Sequence, residues 1–289
     1  MTARFHLFLP QMRMTHAAIV ERARAAEAAG FEGIAFMDHL VPPLADDQDM
    51  WEAMAIAGWT LANTATLTAG HLVLCDSFRH PTMLARQVTS LDHASGGRFE
   101  LGIGWGSVPE ELTTFGVGST EAPERVGRLA ESLAIMRALW AGEIVDHKGE
   151  HFTIAGAQQR PLPTRPIPIT IGGTGKRTLA LVREYADWWN VPLHQLDRID
   201  ERRGDAGDAR ISVQQMVALV PSEAEREEVG AKAMRRYGGM HPLVGTTSEL
   251  TDHFAAMHAR GVERYYVWFA DFAPVPTLER FSEVIDALG

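Results

Sequence analysis

The chain is poor in cysteine, since Cys75 is the only one among 289 residues. A single cysteine excludes an internal disulfide and fits a reducing cytoplasm, where we expect this protein to act. No window of about 18 consecutive apolar residues occurs, which predicts that no segment spans a membrane. The start MTARFHLFLPQ has no small-residue cleavage site, so we expect no signal peptide. The net charge of −10 comes without any basic block and argues against a nucleic-acid partner.

What the sequence has in abundance is short apolar runs that alternate with helical patterns. Near-continuous apolar runs are typical of strands buried on both faces of a parallel sheet. Eight such strands in a chain somewhat longer than the typical size of about 250 residues favour a (β/α)8 TIM barrel, an α/β fold, over an open sheet. The predicted strands cover residues 5–9, 33–37, 71–75, 98–104, 168–172, 188–192, 211–220 and 264–269. Helical patterns cover about 15–30, 50–66, 80–97, 123–140, 176–186, 222–237 and 248–261.

Two stretches interrupt this alternation. Residues from about 142 to 167 hold EIVDHKGEHFTI and a proline-rich run, which predict a β-hairpin followed by an irregular connection. The segment 193–210 is polar and weakly periodic. We therefore expect one barrel domain over 1–289, with an insertion at about 142–167.

Residues directly after the strands are the candidate site, because barrel enzymes place their chemistry there. Asp38 and His39 follow the second strand, and imidazole can exchange a proton near neutral pH. A capping Asp and a solvated loop His are the alternative interpretation. Gly102, Gly104 and Gly106 indicate either a tight turn or a close approach of backbone to a flat ligand.

The sequence GGTGKR at 172–177 follows the fifth strand and opens directly into a helix. Successive backbone N–H groups at a helix N-terminus, beside Lys176 and Arg177, predict an anion site. It is not a Walker A loop, because Arg177 stands where Ser or Thr is required. An ordinary glycine-rich turn is the alternative.

Other reactive residue types give weaker signals. His147 and His151 flank a predicted turn and no HExxH sequence occurs, so we predict no metal site. Cys75 is expected to serve packing. The large aromatics Trp51, Trp59, Trp188 and Trp189 fit either a pocket wall or the core.

Several long segments point in the same direction when taken together. They include GFEGIAFMDH, FRHPTMLARQVTSLDHASGGRFELGIGWG, ERVGRLAESLAIMRALWAGE, IPITIGGTGKRTLALVREYADWWNVP and GTTSELTDHFAAMHARGVERYYVW. With them the chain resembles the bacterial-luciferase-like flavin and deazaflavin oxidoreductases, in particular the branch that depends on coenzyme F420. This resemblance implies a (β/α)8 barrel that binds F420 or FMN at its C-terminal mouth and moves a hydride to or from a small organic substrate.

The resemblance also assigns expected roles by position. Asp38 and His39 match the pair at the deazaflavin ring, with His39 as the candidate proton donor. Leu72 and Val73 match a strand-three bulge behind the ring, where many members hold a cis peptide bond. Along the ribityl chain and the phosphate, the matching residues are Gly104, Trp105, Gly106, Gly172, Gly173, Thr174, Gly175 and the neighbouring Lys176.

Departures and alternatives follow from the same comparison. Some F420 dehydrogenases carry a Glu where this chain has Ser107, with Glu110 and Glu111 displaced, which argues against sugar-phosphate dehydrogenase activity. The segment 193–210 is shorter than the family's usual stretch, so one wall of the mouth is expected to be reshaped. Members are commonly homodimers, and the apolar sequence WEAMAIAGW at 51–59 suits either such an interface or packing against the barrel.

The cofactor is the main open choice. An acidic F420 tail needs a local basic rim on a protein of charge −10, for which Lys176, Arg177 and Arg79 are candidates. FMN is the alternative and would make the chain a monooxygenase that works with a reductase partner. A non-redox barrel enzyme that uses the same anion loop, or a protein that only binds the cofactor, are further alternatives.

Overall fold

The computed structural model describes residues 2–43, 45 and 47–289. The strands are β1 (Arg4–Phe8), β2 (Gly33–Phe36), β3 (Thr68–His71), β4 (Leu74–Cys75), β5 (Leu101–Gly104), β6 (Val145–Lys148), β7 (Thr153–Ala157), β8 (Ile169–Gly172), β9 (Trp188–Val191), β10 (Arg210–Leu219), β11 (Leu243–Gly245) and β12 (Val262–Phe269). The helices are α1 (His16–Ala28), α2 (Ala53–Asn63), α3 (Pro81–Ser95), α4 (Pro109–Phe115), α5 (Ala122–Trp140), α6 (Lys176–Tyr185), α7 (Ile199–Arg202), α8 (Arg226–Tyr237), α9 (Thr247–Ala259) and α10 (Val275–Leu288).

The main sheet is parallel and curls into a barrel, which confirms the predicted fold class. Its strand order is β3-β2-β1-β12-β10-β9-β8-β5-β4, and β11 pairs with β10 off this path. The sheet closes where a bridge joins Ala69 of β3 to Phe99, next to the pairing of β4 with β5. Because β3 and β4 share one position, the described strands give the eight barrel positions that the sequence predicts.

The third barrel position is broken rather than continuous, unlike the predicted run 71–75. β3 ends at His71, β4 begins at Leu74, and the Leu72–Val73 peptide bond between them is cis. Two glycines of the neighbouring strand fit around this break. A Cβ at Gly102 would collide with the His71 carbonyl oxygen, and a Cβ at Gly104 would lie 2.8 Å from Val73 Cγ2. These two glycines therefore permit a close approach between neighbouring strands of the protein itself, in addition to any approach of a ligand.

The core between barrel and helices is built around an aromatic cluster. Phe5 of β1 stacks on Tyr265 of β12 at 5.3 Å and contacts Phe254 and Phe281 edge-on. Such ring pairs add about 0.5–1.5 kcal/mol each beyond their buried area. Phe281 belongs to α10, a helix that is not among those predicted from the sequence. This helix covers the β1 and β12 side of the barrel and completes the outer layer there.

The remaining interruptions lie away from the barrel axis. β6 and β7 pair antiparallel, so the hairpin predicted within 142–167 is confirmed. The Glu131 carboxylate of α5 fastens its turn by accepting hydrogen bonds from the amides of Glu150, His151 and Phe152. The polar segment 193–210 forms 3-10 turns at Leu193–Arg198 and Arg203–Ala206 around α7. Among the described residues, none of the helices has the length and apolar character that a membrane crossing requires.

Candidate active site

One cavity of about 610 Å³ opens at the C-terminal ends of the barrel strands. Its size lies within the range of about 300–1,000 Å³ that is usual for ligand pockets. Every residue predicted to bind the cofactor except Lys176 lines it: Asp38, His39, Leu72, Val73, Gly104, Trp105, Gly106, Gly172, Gly173, Thr174 and Gly175. Lys176 is exposed on the first turn of α6 and is not part of the wall. The structure thus brings together residues that are spread over more than 130 positions of sequence.

Asp38 is held by a buried ion pair at one side of this cavity. Arg79 donates to both Asp38 oxygens, at 2.5 and 3.0 Å, and also to Glu52 at 2.6 Å. The Cys75 amide donates to Asp38 Oδ2 at 2.8 Å. Only 4% of the Asp38 side chain and 12% of the Arg79 side chain are exposed. Arg79 is therefore neutralised by its partners, and the suggestion that it belongs to a basic rim for an acidic tail is wrong.

His39 is oriented by a carboxylate from a different part of the chain. Its Nδ1 lies 2.8 Å from Glu111 Oε2. The other Glu111 oxygen accepts from the amides of Leu40 and Val41, at 2.7 and 3.1 Å. A carboxylate accepts hydrogen bonds, so the imidazole carries its hydrogen on Nδ1 and leaves Nε2 as the free nitrogen. In the described part of the chain, Nε2 has no protein partner.

Glu111 reaches this position because α4 follows β5 directly. Pro109 begins the helix, and Glu111 lies in its first turn. Although it is displaced from the Ser107 position, Glu111 delivers a carboxylate to the mouth. Glu111 could have been singled out from its place soon after a barrel strand, but its pairing with His39 is a tertiary contact that no local pattern shows.

The loop from β8 into α6 supplies unpaired backbone donors. The Gly173 amide donates to the Asn190 carbonyl at 3.1 Å, so this N–H is already used. Within the described residues, the amides of Thr174 and Gly175 donate to no protein acceptor, and those of the first turn of α6 are free as at any helix start. The Thr174 hydroxyl is hydrogen-bonded to Gln195. This arrangement fits the predicted anion site, shifted toward Thr174, Gly175 and the helix start.

Several lining residues were missed by sequence reasoning. Asn190 and Pro192 come from the end of β9, His194 from the following turn, Gln214 from the middle of β10, and Thr178 from α6. His194 lies just beyond the predicted strand 188–192, where residues that follow barrel strands are expected to form the site, so this position carried a usable signal. Gln214 could not be identified in this way, because it lies inside β10 and reaches the cavity only through the way this strand packs in the barrel.

The other reactive residue types take structural places. Cys75 is buried at the edge of the cavity wall, and burial raises the pKa of its thiol to about 11, so the thiol stays protonated at neutral pH. Trp188 and Trp189 are fully buried in the core, Trp51 is half-buried, and Trp59 is exposed. His147 pairs with Glu131 at 2.8 Å. In the part of the chain that the structure describes, no group of three or more His, Cys, Asp or Glu side chains is arranged to hold a metal ion.

Relatives that share sequence with this chain include two F420-dependent dehydrogenases. F420-dependent glucose-6-phosphate dehydrogenase of Microbacterium testaceum is 34% identical over 163 residues, covering 56% of this chain and 48% of that protein. F420-dependent hydroxymycolic acid dehydrogenase of Mycobacterium tuberculosis is 31% identical over 176 residues, covering 59% of this chain and 48% of that protein. In both comparisons the match spans about half of the relative's length.

Solved structures agree with the fold over nearly the whole chain. An F420-dependent secondary alcohol dehydrogenase in complex with an F420–acetone adduct superposes with a TM-score of 0.83 at 20% identity, with 100% of both chains covered. EDTA monooxygenase from Chelativorans sp. BNC1 gives a TM-score of 0.84 at 14% identity, covering 99% of this chain and 94% of that one. At these identities the likeness establishes the fold.

The family profile settles the classification. The profile described as luciferase-like monooxygenase matches residues 2–270, which include every barrel strand and every wall residue of the cavity. The chain belongs to the luciferase-like monooxygenase family.

Proposed function

We propose that this protein is an F420-dependent oxidoreductase that transfers a hydride between the deazaflavin cofactor and a small alcohol or carbonyl substrate. The observation that carries the proposal is the single cavity that joins the Leu72–Val73 bulge, His39 with its Glu111 partner, and the free amides before α6. The relatives named above support the choice of cofactor, because both are F420-dependent dehydrogenases.

The cavity offers a suitable surface for each part of such a cofactor. The free amides of Thr174, Gly175 and the start of α6 would hold a phosphate, since they combine unpaired donors with the positive end of a helix. Leu72 and Val73 would support one face of a flat ring system. Gly104 and Gly106 keep the wall between these two surfaces free of bulky side chains. When bound, the deazaflavin would supply hydride exchange at its C5.

His39 would move the proton that accompanies the hydride. In alcohol oxidation, His39 Nε2 would accept the proton of the substrate hydroxyl, while hydride uptake would be the contribution of the bound deazaflavin, so that a carbonyl product would remain. In the reverse direction the same nitrogen returns the proton to the carbonyl oxygen. Glu111 fixes the tautomer required for this exchange and stabilises the imidazolium that forms. We therefore assign His39 as the proton-transfer group and Glu111 as its positioning residue.

Cofactor titration tests the proposal directly. The protein is titrated with F420 and with FMN separately, and quenching of cofactor fluorescence reports binding. We expect F420 to bind with at least tenfold higher affinity than FMN. Binding of FMN alone would overturn the choice of cofactor and favour a monooxygenase with a reductase partner. Binding of neither, together with binding of inorganic phosphate, would favour a non-redox barrel enzyme, and tight binding of F420 that supports no turnover of any substrate would leave a cofactor-binding protein.

A pair of matched variants tests where the cofactor phosphate binds. Gly175→Asp places a carboxylate at the N-cap of α6, where Asp is well accepted by the helix but occupies the free amides and repels a phosphate. Gly204→Asp adds the same charge at a position with nothing within 4 Å of its Cβ. We expect only Gly175→Asp to weaken F420 binding strongly. Equal affinities in the two variants would contradict the assigned phosphate site.

The predicted homodimer and cytoplasmic location stay predictions. Most apolar residues of α2, among them Ala53, Met54 and Ile56, pack against the barrel, as the alternative interpretation expected. Trp59 on α2 and Met83 on α3 remain 51% and 56% exposed and are among the exposed apolar residues that a second copy could contact. Size-exclusion chromatography with Trp59→Glu against wild type would test this interface.

A further inference from the structure

A second chamber of about 440 Å³ adjoins the cavity described above. The two share wall residues at their junction, among them His39, Leu72 and Gln214. We call this space the side chamber. Most of its wall is apolar and aromatic, formed by Phe8, Met12, Met37, Tyr237, Met240, Trp268 and Phe272. A molecule in the side chamber would therefore meet an apolar surface at one end and the His39 imidazole at the other.

Two arginines, Arg13 and Arg236, complete the wall of the side chamber, and neither has an ion-pair partner among the residues that the structure describes. Arg236 donates from Nη1 to the Ala270 carbonyl at 2.8 Å, and its guanidinium lies 5.3 Å from the Phe272 ring centroid. The Arg13 backbone is fixed by a hydrogen bond from its amide to the Asp49 carbonyl at 3.1 Å. Within the described residues, no carboxylate lies at ion-pair distance from either guanidinium. Both arginines are exposed, so an anion can reach them from solvent, and on a protein of net charge −10 two guanidinium groups without an ion-pair partner among the described residues, placed on one apolar chamber, favour a site for an anionic group.

Both cations act on the same part of the chamber. Burial raises the pKa of Tyr237, and the positive charges of Arg236 and Arg13 oppose this rise.

The backbone around the two arginines is also unusual, because Arg13 and Phe272 adopt φ values of 59° and 65°. Non-glycine residues in this left-handed region are uncommon and are concentrated at ligand sites. Part of the side-chamber wall is thus formed by non-glycine residues in a backbone conformation that such residues rarely adopt.

The arginine pair is separated from the proposed phosphate site by the width of the barrel. Arg13 follows β1 and Phe272 follows the adjacent β12, whereas the free amides follow β8. Counting β3 and β4 as one position, β8 lies four positions from β1 in either direction around the described barrel. An anion held by Arg13 and Arg236 is therefore a different group from the phosphate held at α6.

We propose that the side chamber binds the substrate, and that this substrate has an apolar or aromatic body with a carboxylate or similar anionic group at the end away from His39. The inference rests on the proposed function and specifies its substrate class. The apolar wall takes the body, Arg13 and Arg236 take the anion, and the reacting alcohol or carbonyl carbon is directed toward the junction with the main cavity. A neutral substrate of the same shape would leave the two guanidinium groups unpaired.

The test measures binding to the whole chain without cofactor, so that it does not depend on F420 chemistry. The probe is 4-acetylbenzoate, an aromatic ketone with a carboxylate, and its neutral counterpart is 4-acetylbenzamide. Isothermal titration calorimetry is run on wild type, Arg13→Gln, Arg236→Gln and Arg236→Lys. Arg235→Gln is the matched control, because Arg235 is exposed on the same helix and lines neither cavity.

We expect wild type to bind the acid at least about tenfold more tightly than the amide, the scale of one charge-assisted hydrogen bond. Arg13→Gln and Arg236→Gln should each lose about tenfold in affinity for the acid and nothing for the amide. Arg236→Lys should retain part of the preference, and Arg235→Gln should behave as wild type. Circular dichroism checks that each variant is folded.

Three results would overturn the inference: no measurable binding of the acid, equal affinity for acid and amide, or equal effects of the Arg235 and Arg236 substitutions. A loss of F420 affinity in Arg13→Gln or Arg236→Gln, without any loss for the acid, would assign the two arginines to the acidic tail of the cofactor instead. Failure of the proposed function looks different, because then F420 does not bind to wild type while the preference for the acid persists.

Discussion

His39 Nδ1 and Glu111 Oε2 lie 2.8 Å apart, although 72 positions separate the two residues in sequence. The carboxylate is itself fixed, because its second oxygen accepts from the amides of Leu40 and Val41 beside the histidine. This mutual fixing joins the loop after β2 to α4. Which ring nitrogen of His39 carries the hydrogen therefore depends on α4, a helix that lies outside the regular barrel alternation.

Substitution of this pair should separate chemistry from binding. We expect His39→Gln to lower kcat by about 10²–10⁴-fold, the usual contribution of a positioned acid or base. F420 affinity should change little, because the phosphate site lies on another strand. Steady-state kinetics with F420 and a turned-over substrate, combined with the fluorescence titration, measure both quantities. Unchanged turnover with bound cofactor would remove His39 from the mechanism.

Glu111→Gln should have a smaller effect and a different signature. The amide can still accept from Leu40 and Val41 but presents N–H rather than oxygen to His39, which favours the other tautomer. We expect a lower kcat together with a displaced pH–rate profile, whereas a merely structural role would lower activity equally at every pH. The neighbouring Glu110→Gln provides the control, since Glu110 lines neither cavity.

The buried ion pair of Asp38 and Arg79 should be important for stability. Arg79→Gln leaves the Asp38 carboxylate buried without its cation, and breaking such a pair costs about 3–5 kcal/mol. The double variant Asp38→Asn with Arg79→Gln should recover much of this loss. Arg86→Gln, an exposed change on α3, should remain within about 0.5 kcal/mol of wild type. Urea unfolding measures all three, and a loss in Arg79→Gln no larger than in Arg86→Gln would contradict the prediction.

Gly104 should tolerate no side chain. A Cβ there would lie 2.8 Å from Val73 Cγ2, so that either the bulge or β5 has to move. We expect Gly104→Ala to cost about 1–3 kcal/mol in stability, as overpacking usually does, and also to weaken F420 binding. Gly204→Ala, which meets nothing within 4 Å, is the matched control for both measurements. Cofactor affinity equal in the two variants would separate the bulge from the binding site.

His71 should make the fold sensitive to acid. It is buried, its Nε2 lies 3.0 Å from the Ala53 carbonyl oxygen, and burial lowers its pKa to about 4. Unfolded histidine takes up its proton near pH 6.5, whereas the folded protein resists protonation down to about pH 4. The contribution of His71 to the free energy of unfolding is therefore complete above pH 6.5. It decreases as the pH falls and is smaller by about 2 kcal/mol at pH 5. His71→Gln should show a correspondingly smaller loss between pH 7 and 5 in urea unfolding, while His6, buried with a lowered pKa, remains in both proteins. Equal losses in the two proteins would contradict this account.

The sequence predicted well whatever depends on local patterns. Buried strands appear as apolar runs, and α3 has Pro81 at its start and Gly96, with φ of 68°, at its end. The helix α10 was missed although its buried Leu278, Phe281 and Val284 recur at helical spacing. This spacing, which follows the last predicted strand, is the local signal that predicts the helix.

What could not be predicted depends on distances between remote residues. Arg79 is one of several arginines in the sequence, and nothing local shows that Asp38 and Glu52 neutralise it. The same holds for Glu111 beside His39 and for the two arginines of the side chamber. In each case the chemical meaning of a charged residue is set by whether a partner of opposite sign lies within a few ångströms.

The charge distribution described above also affects how fast ligands arrive. At low ionic strength the Debye length is about 30 Å at 0.01 M, so an approaching anion feels the net charge of −10 of the whole surface. At 0.15 M it is about 8 Å, so the anion feels only the nearby arginines and free amides. Added salt should therefore accelerate the association of anionic ligands with this protein, the reverse of the usual behaviour of electrostatically steered binding. Stopped-flow association of F420 at the two salt concentrations would measure this acceleration. The rate at which the mouth takes up its ligand would then depend on the ionic strength of the solution as well as on the ligand.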